Sequence, residues 1–286
     1  MTRLWILWTF VAIVAVAPRV SHGQFPLESI AEDAFEEFEF EPEEEEDEIV
    51  TDRDSFTPST SVVGCGNFVF ESAYSFIDNR GVAETHSYPE ILARYGISDN
   101  IELRFGWNYE VGGAGNPISG NVPDEFEEGA ELERESTVLY GAKFFLTEQC
   151  GWTPESSVIV QGYTPTSGEA NDSSLAMSYV AGWKLANNWE WDSAIRYSTG
   201  IEEEDHFNVW APSTVLKIPF CERWKGHIEY FGIFTEGREE ESTQHFISPG
   251  VHYLVCPDLE VGVRFGWGLN DQSPNFFTNA GVGLRF

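Results

Sequence analysis

Leu259-Glu260-Val261-Gly262-Val263-Arg264-Phe265-Gly266-Trp267-Gly268-Leu269 is followed by Asn270-Asp271-Gln272-Ser273-Pro274-Asn275 and then by Phe276-Phe277-Thr278-Asn279-Ala280-Gly281-Val282-Gly283-Leu284-Arg285-Phe286. In the first run Leu259, Val261, Val263, Phe265, Trp267 and Leu269 alternate with Glu260, Gly262, Arg264, Gly266 and Gly268. In the last run Phe276, Thr278, Ala280, Val282, Leu284 and Phe286 alternate with Phe277, Asn279, Gly281, Gly283 and Arg285. A period of two is a strand with one apolar and one polar face. Two such runs across a turn make a hairpin. Each run is about ten residues, the length a tilted strand needs to cross a bilayer.

The pattern recurs upstream. Candidate strands are 68–77, 87–96, 100–110, 137–147, 156–163, 175–186, 189–197, 206–217, 223–234, 245–255, 259–269 and 276–286. That is about twelve, an even number as bacterial single-chain barrels require. Connections after even strands are short, as at Ser98-Asp99-Asn100, Asn187-Asn188 and Cys256-Pro257-Asp258. Those after odd strands are longer: 78–86, 111–136, 164–174, 198–205, 235–244 and 270–275. Tight periplasmic turns and extended outer loops explain that alternation, and a soluble β-sandwich does not. The final Phe286 resembles the C-terminal signature of bacterial outer-membrane β-barrels and is the expected assembly signal, read by the barrel-assembly machinery through the C-terminal strand. The predicted fold class is all-β: a transmembrane antiparallel barrel of about twelve strands behind a disordered acidic tail.

Three segments divide the chain. Residues 1–23 read as a secretory signal, with Arg3, an apolar core from Leu4 to Ala17, and Ser21-His22-Gly23 before the cleavage point. Residues 24–60 hold fifteen acids and one base, Arg53. Charges this dense repel and stay solvated, which predicts a disordered periplasmic tail. Phe35, Phe38 and Phe40 could anchor that tail on a basic partner. Residues 61–286 form the expected barrel. The net charge of −32 gives phosphates no basic patch, so nucleic acid is excluded as a partner.

Charged residues on one face of strand after strand do not suit a soluble core. They suit a polar lumen with lipid outside. The bases expected to line it are Arg94, Arg104, Lys143, Lys184, Arg196, Lys225, Arg264 and Arg285. The acids are Glu90, Glu102, Glu190, Asp192, Glu229 and Glu260. They form either a mutual ion-pair network filling a narrow lumen or a polar eyelet that selects solutes by charge. Trp107, Tyr109, Trp210 and Trp267 fall toward the outer strand ends, and Tyr95, Trp189, Trp191 and Trp224 toward the inner, as two aromatic girdles would. Pro89, Pro212 and Pro249 lie inside strands and predict bulges or lapses of pairing near the rim.

Cys65, Cys150, Cys221 and Cys256 all fall on the periplasmic side. Export makes disulfides the expectation, paired Cys221–Cys256 and Cys65–Cys150, with free thiols as the alternative. Asp124, Glu125, Glu127, Glu128, Glu131, Glu133 and Glu135 crowd the loop 111–136 but lack a calcium-loop spacing, so no metal site is expected. No GxSxG or HExxH occurs, and His252 with Ser248 would face the lumen, so no enzyme and no cofactor is expected.

Three stretches carry a family likeness. They are Ser87-Tyr88-Pro89-Glu90-Ile91-Leu92-Ala93-Arg94-Tyr95-Gly96-Ile97-Ser98-Asp99-Asn100-Ile101-Glu102-Leu103-Arg104, Tyr163-Thr164-Pro165-Thr166-Ser167-Gly168, and Pro257 to Phe286. From about residue 67 onward the chain resembles the meta-pathway phenol-degradation family of outer-membrane barrel proteins. The resemblance implies a transporter-like channel for small solutes, hydrophobic or aromatic compounds among them. It extends to neither the acidic tail nor the four cysteines. The alternative is a plugged structural barrel anchoring the acidic arm. The location expected is the bacterial outer membrane, with its lipid and glycolipid as partners and a small-molecule solute as cargo.

Overall fold

A computed structural model of the chain describes residues 48–119, 133–168, 172–202, 205–238 and 241–286. Twelve strands appear in chain order. They are β1 (Phe68–Asp78), β2 (Thr85–Ser98), β3 (Ile101–Gly112), β4 (Glu133–Thr147), β5 (Glu155–Ser167) and β6 (Ser174–Lys184). Then come β7 (Glu190–Glu202), β8 (Asp205–Cys221), β9 (Trp224–Glu236), β10 (Thr243–Cys256), β11 (Leu259–Gly268) and β12 (Phe276–Arg285). Each pairs antiparallel with its sequence neighbours, and β1 pairs with β12, so the sheet closes. Closure leaves no free sheet edge, the condition for a sheet that spans lipid.

Side chains sort as the alternation requires. Leu103, Phe105, Met177, Ile195, Val263 and Phe265 are exposed on the outside. Glu102, Arg104, Lys143, Glu229 and Arg264 are buried on the inside. An apolar exterior around a charged interior makes this a barrel of the outer membrane.

Closure ends on the last residue. The Phe286 amide donates to the Phe68 carbonyl at 2.8 Å, and the Phe68 amide donates back at 3.1 Å. Deleting Phe286 removes both bonds at the seam while leaving the interior charges in place. The expected result is a marked drop in folded, surface-exposed barrel, read as loss of the heat-modifiable band on gels. Unchanged assembly would refute this role.

Some expectations need correction. The outer connection expected at 198–205 is mostly strand, because β7 and β8 keep pairing out to Glu202↔Asp205. Pro89 does mark a register shift, between Ser87 and Glu90 of β2. Pro212 and Pro249 mark neither bulge nor rim. Pairing resumes in register beyond Pro212 on the β9 side and beyond Pro249 on the β11 side. At the second lapse the Ser248 hydroxyl donates to the Phe265 carbonyl at 2.9 Å, replacing a ladder bond.

The cysteine pairings do not form. Cys65, Cys150, Cys221 and Cys256 are exposed and free. Cys221 ends β8 and Cys256 ends β10, so β9 stands between them. Cys65 sits beside Ile97 at the end of β2, and Cys150 follows β4. Cys221 and Cys256 are thus about two strand spacings of ~4.8 Å apart, beyond the ~7 Å Cα separation a disulfide tolerates.

The boundary of the acidic tail also moves. Residues 48–60, expected to be solvated with the rest of it, lie inside the barrel. Thr51, Asp52, Arg53, Ser55, Phe56 and Thr57 are all buried. Residues 1–47, with the expected signal and most of the acidic tail, lie outside the described residues.

Candidate functional site: a filled lumen

The described interior is filled by the chain's own segments, one from each end. The first enters at the periplasmic end, where the Ile49 amide donates to Pro257 of the β10–β11 turn at 2.8 Å. Glu48 meets Lys225 there at 2.5 Å. The segment climbs to Phe56, which stacks on Phe231 with ring centroids 4.3 Å apart. It then returns to the same end, where the Gly66 amide reaches the Gly96 carbonyl at 2.8 Å.

This inner segment has no strand partner, yet its buried amides need acceptors. Carboxylates of the barrel wall supply several. Asp52 N–H donates to Glu71 at 3.0 Å, and Val63 N–H to Glu102 at 2.9 Å. Phe56 and Thr57 N–H donate to the two oxygens of Glu229 at 3.0 and 2.7 Å. The wall therefore holds the segment by side chains.

Charge complementarity completes the seat. Asp52 meets Arg104 at 2.5 Å and Lys143 at 3.1 Å. Arg94 donates from Nε and Nη2 to Glu102 at 2.9 Å each, and from Nη1 to Glu71 at 3.2 Å and the Val50 carbonyl at 2.8 Å. Arg53 pairs with Glu90. Burial raises the Asp52 carboxyl, but Arg94, Lys143 and Arg104 outweigh it and hold Asp52 well below the usual carboxylate range.

The second segment, 113–119, folds in from the outer end. Asn116 Nδ2 donates to Glu90 at 2.9 Å, and Arg264 donates to the Ile118 carbonyl at 2.5 Å. Arg264 also meets Glu229 at 3.2 Å. The two segments thus share the wall carboxylate Glu90, and Arg264 links the second to Glu229, which holds the first. Above Glu229 the interior turns apolar. Phe56, Ile118, Phe231, Phe246 and Phe277 pack as one buried cluster. The acidic run from Asp124 to Glu131 lies outside the described residues.

The structure brings together Glu90, Arg94, Glu102, Arg104, Lys143, Glu229 and Arg264, all buried. Asp192 and Arg196 are buried on the opposite wall, Arg196 over the Phe56 ring at 4.7 Å. Glu260 is buried lower down, where Thr51 donates to it at 3.0 Å. Lys184, Lys225 and Arg285 belong to the periplasmic rim. Lys184 is exposed beside the partly exposed Glu190, Lys225 holds Glu48, and Arg285 meets Asp258 at 2.7 Å. Rim positions share the lumen parity, so alternation alone does not separate them.

Sequence reasoning missed Asp52, Asp54, Glu71 and Lys217. The first two lay in what read as tail, and Glu71 and Lys217 lay on weakly alternating strands. Lys217 sits 3.8 Å from both Asp54 and Asp192. A usable signal was glycine on the polar face. A Cβ at Gly96 would stand 2.1 Å from the Gly64 carbonyl oxygen, and one at Gly283 would stand 2.4 Å from Thr51. Gly96→Val is therefore expected to displace the inner segment while sparing the strands. Limited proteolysis after residue 50 should become several-fold faster, and unchanged protection would refute the fit.

Comparisons with known proteins agree on the architecture. A family profile described as "Putative MetA-pathway of phenol degradation" matches residues 51–286. Among solved structures, the COG4313 outer membrane channel from Pseudomonas putida F1 superposes with a TM-score of 0.56 at 9% identity, covering 80% of this chain and 98% of that one. The translocator domain of the autotransporter NalP from Neisseria meningitidis gives 0.50 at 11% identity, covering 78% and 90%. At such identities these likenesses speak for the fold. No curated relative matches in sequence.

Proposed function

Because this chain belongs to the MetA-pathway phenol-degradation family, we propose that it is a gated outer-membrane channel for small solutes, closed when residues 48–63 occupy the lumen. The observation that carries this reading is how that segment is held. Wall carboxylates such as Glu229, Glu71 and Glu102 take its amides. It can therefore leave without unpairing a strand. A permanently filled barrel gains little from this arrangement, since packed apolar side chains hold a core at least as well as buried ion pairs do.

The lining suggests the solute class. A vacated lumen offers an aromatic zone at Phe231, Phe246 and Phe277, followed by the Arg94, Arg104 and Lys143 cluster. Small molecules with an aromatic ring and a polar or anionic group match both zones, in keeping with the family's description. Passage is passive, with selectivity set by lumen width and charge.

The test is conductance of the purified full-length barrel in planar bilayers, with Arg104→Ala and Arg264→Ala alongside. Intermittent openings whose ion selectivity shifts toward cations in both variants are expected. Silence in all three proteins would favour the plugged structural barrel.

A further inference from the structure

Asp54 of the inner segment, His252 of β10 and Glu260 of β11 converge at the periplasmic half of the lumen. One ligand atom from each lies within 4.8 Å of the others. Ligands around a tetrahedral Zn²⁺ at ~2.0–2.1 Å stand about 3.3 Å apart, so the trio needs to close by only about an ångström and a half.

Three further observations point to a ligand. First, His252 is 4% exposed, and among the described residues its Nδ1 has no hydrogen-bond partner. Its other nitrogen, Nε2, stands 2.7 Å from Nδ1 of His227. With the Nε2 proton directed at His227, the Nδ1 lone pair faces Glu260 at 3.9 Å, while Asp54 stands 3.9 Å from Nε2 and has to move round the ring edge to join it. A hydrogen-bond partner on the far nitrogen orients a metal-ligating histidine. Second, the space ahead of Nδ1 is kept open by Gly262, where a Cβ would stand 2.6 Å from that nitrogen.

Third, the charges leave a local surplus of acid. The neighbouring cations have carboxylates of their own: Arg53 meets Glu90, Arg264 meets Glu229, and Lys225 meets Glu48. Lys217 is shared between Asp54 and Asp192 at 3.8 Å each. Glu260 is 7% exposed; the Thr51 hydroxyl donates to its carboxylate and His252 Nδ1 stands 3.9 Å from it. With all four ionised, Asp54, Asp192, Glu260 and Lys217 carry a formal −2, which a divalent cation neutralises.

The geometry points to a divalent transition-metal site formed by Asp54, His252 and Glu260, with His227 behind it, that staples the inner segment to β10 and β11. One imidazole with two carboxylates suits Zn²⁺ or Co²⁺, whereas Ca²⁺ takes six to eight oxygens. The site does not depend on the channel reading, because a permanently plugged barrel would bind the same ion.

The test uses the full-length barrel in detergent, with its four exposed cysteines replaced by Ser so that thiolates do not compete. The probes are Co²⁺ and then Zn²⁺. One Co²⁺ per chain with visible ligand-field bands, displaced by Zn²⁺ and unaffected by Ca²⁺, is expected. Asp54→Asn, Glu260→Gln and His252→Ala should each weaken binding about 100-fold, and His227→Ala about 10-fold. Heat-modifiability on gels identifies which variants are folded, and Glu260→Gln keeps the side chain's shape should His252→Ala fail to assemble. Absence of Co²⁺ binding, or binding unchanged by Glu260→Gln and Asp54→Asn, overturns the proposal.

Discussion

A chain whose exported form begins at Val63 is expected to conduct steadily in planar bilayers, where the full chain is closed for most of the time. The truncation removes Phe56 from its stack on Phe231 and releases Glu229 from three donors, the amides of Phe56 and Thr57 and the Thr57 hydroxyl. Hydrogen bonds to a charged acceptor contribute about 1.5–3 kcal/mol each. Losing even one net bond would shift a closed–open equilibrium by roughly 10- to 100-fold. Glu229→Gln in the full chain is the milder version. It keeps the side chain's shape, leaves Arg264 without its carboxylate, and should raise the open fraction about tenfold. If the truncated barrel folds, as judged by heat-modifiability, and stays silent, the segment is not by itself the gate, since residues 113–119 still occupy the lumen.

Arg94→Ala is expected to be the most damaging single substitution in the interior. Arg94 joins Glu71, Glu102 and the Val50 carbonyl, and lies 3.8 Å from Asp52. Removing it leaves carboxylates buried with fewer cations, a defect of about 3–5 kcal/mol when one partner of a buried pair is lost. Denaturant unfolding in detergent would read this. Adding Glu102→Gln removes one stranded charge and should recover part of the loss. Additive damage in the double variant would show that the two residues act separately.

The same network sets the pH response. Asp52 is held well below the usual carboxylate range by Arg94, Lys143 and Arg104 against the opposing effect of burial. A depressed carboxyl contributes its full stability above its unfolded value of about 3.9 and loses it as pH falls through the lower, folded value. The contribution of Asp52 to protease protection of residues 48–63 should therefore stay constant from about pH 8 to pH 5, well above that window. Release within the range would assign the latch to another group.

The barrel was legible because strand and lipid impose a strict local rule. Leu259–Phe286 alternates so cleanly that its hairpin and the inward place of Arg264 follow from parity alone. The same rule placed Glu102, Arg104 and Glu229 inside. It failed where geometry depends on distance around the barrel. Cys221 and Cys256 read as neighbours by turn order, but β9 separates them. Lys184 and Arg285 have the correct parity at the wrong height.

Sequence alone determined the wall: about twelve strands, their direction, which face meets lipid, and a last strand that ends on Phe286. Only the tertiary structure decided what fills it. Asp52, Arg53 and Asp54 belong to an acidic stretch that reads as tail, because local charge density favours solvation. Inside the closed barrel Asp52 and Arg53 meet partners from strands far apart in sequence: Arg104 and Lys143 for the one, Glu90 for the other. No local window contains both an acid and the distant base that makes its burial favourable. The plug therefore emerges only when the sheet has curled round to bring those bases together.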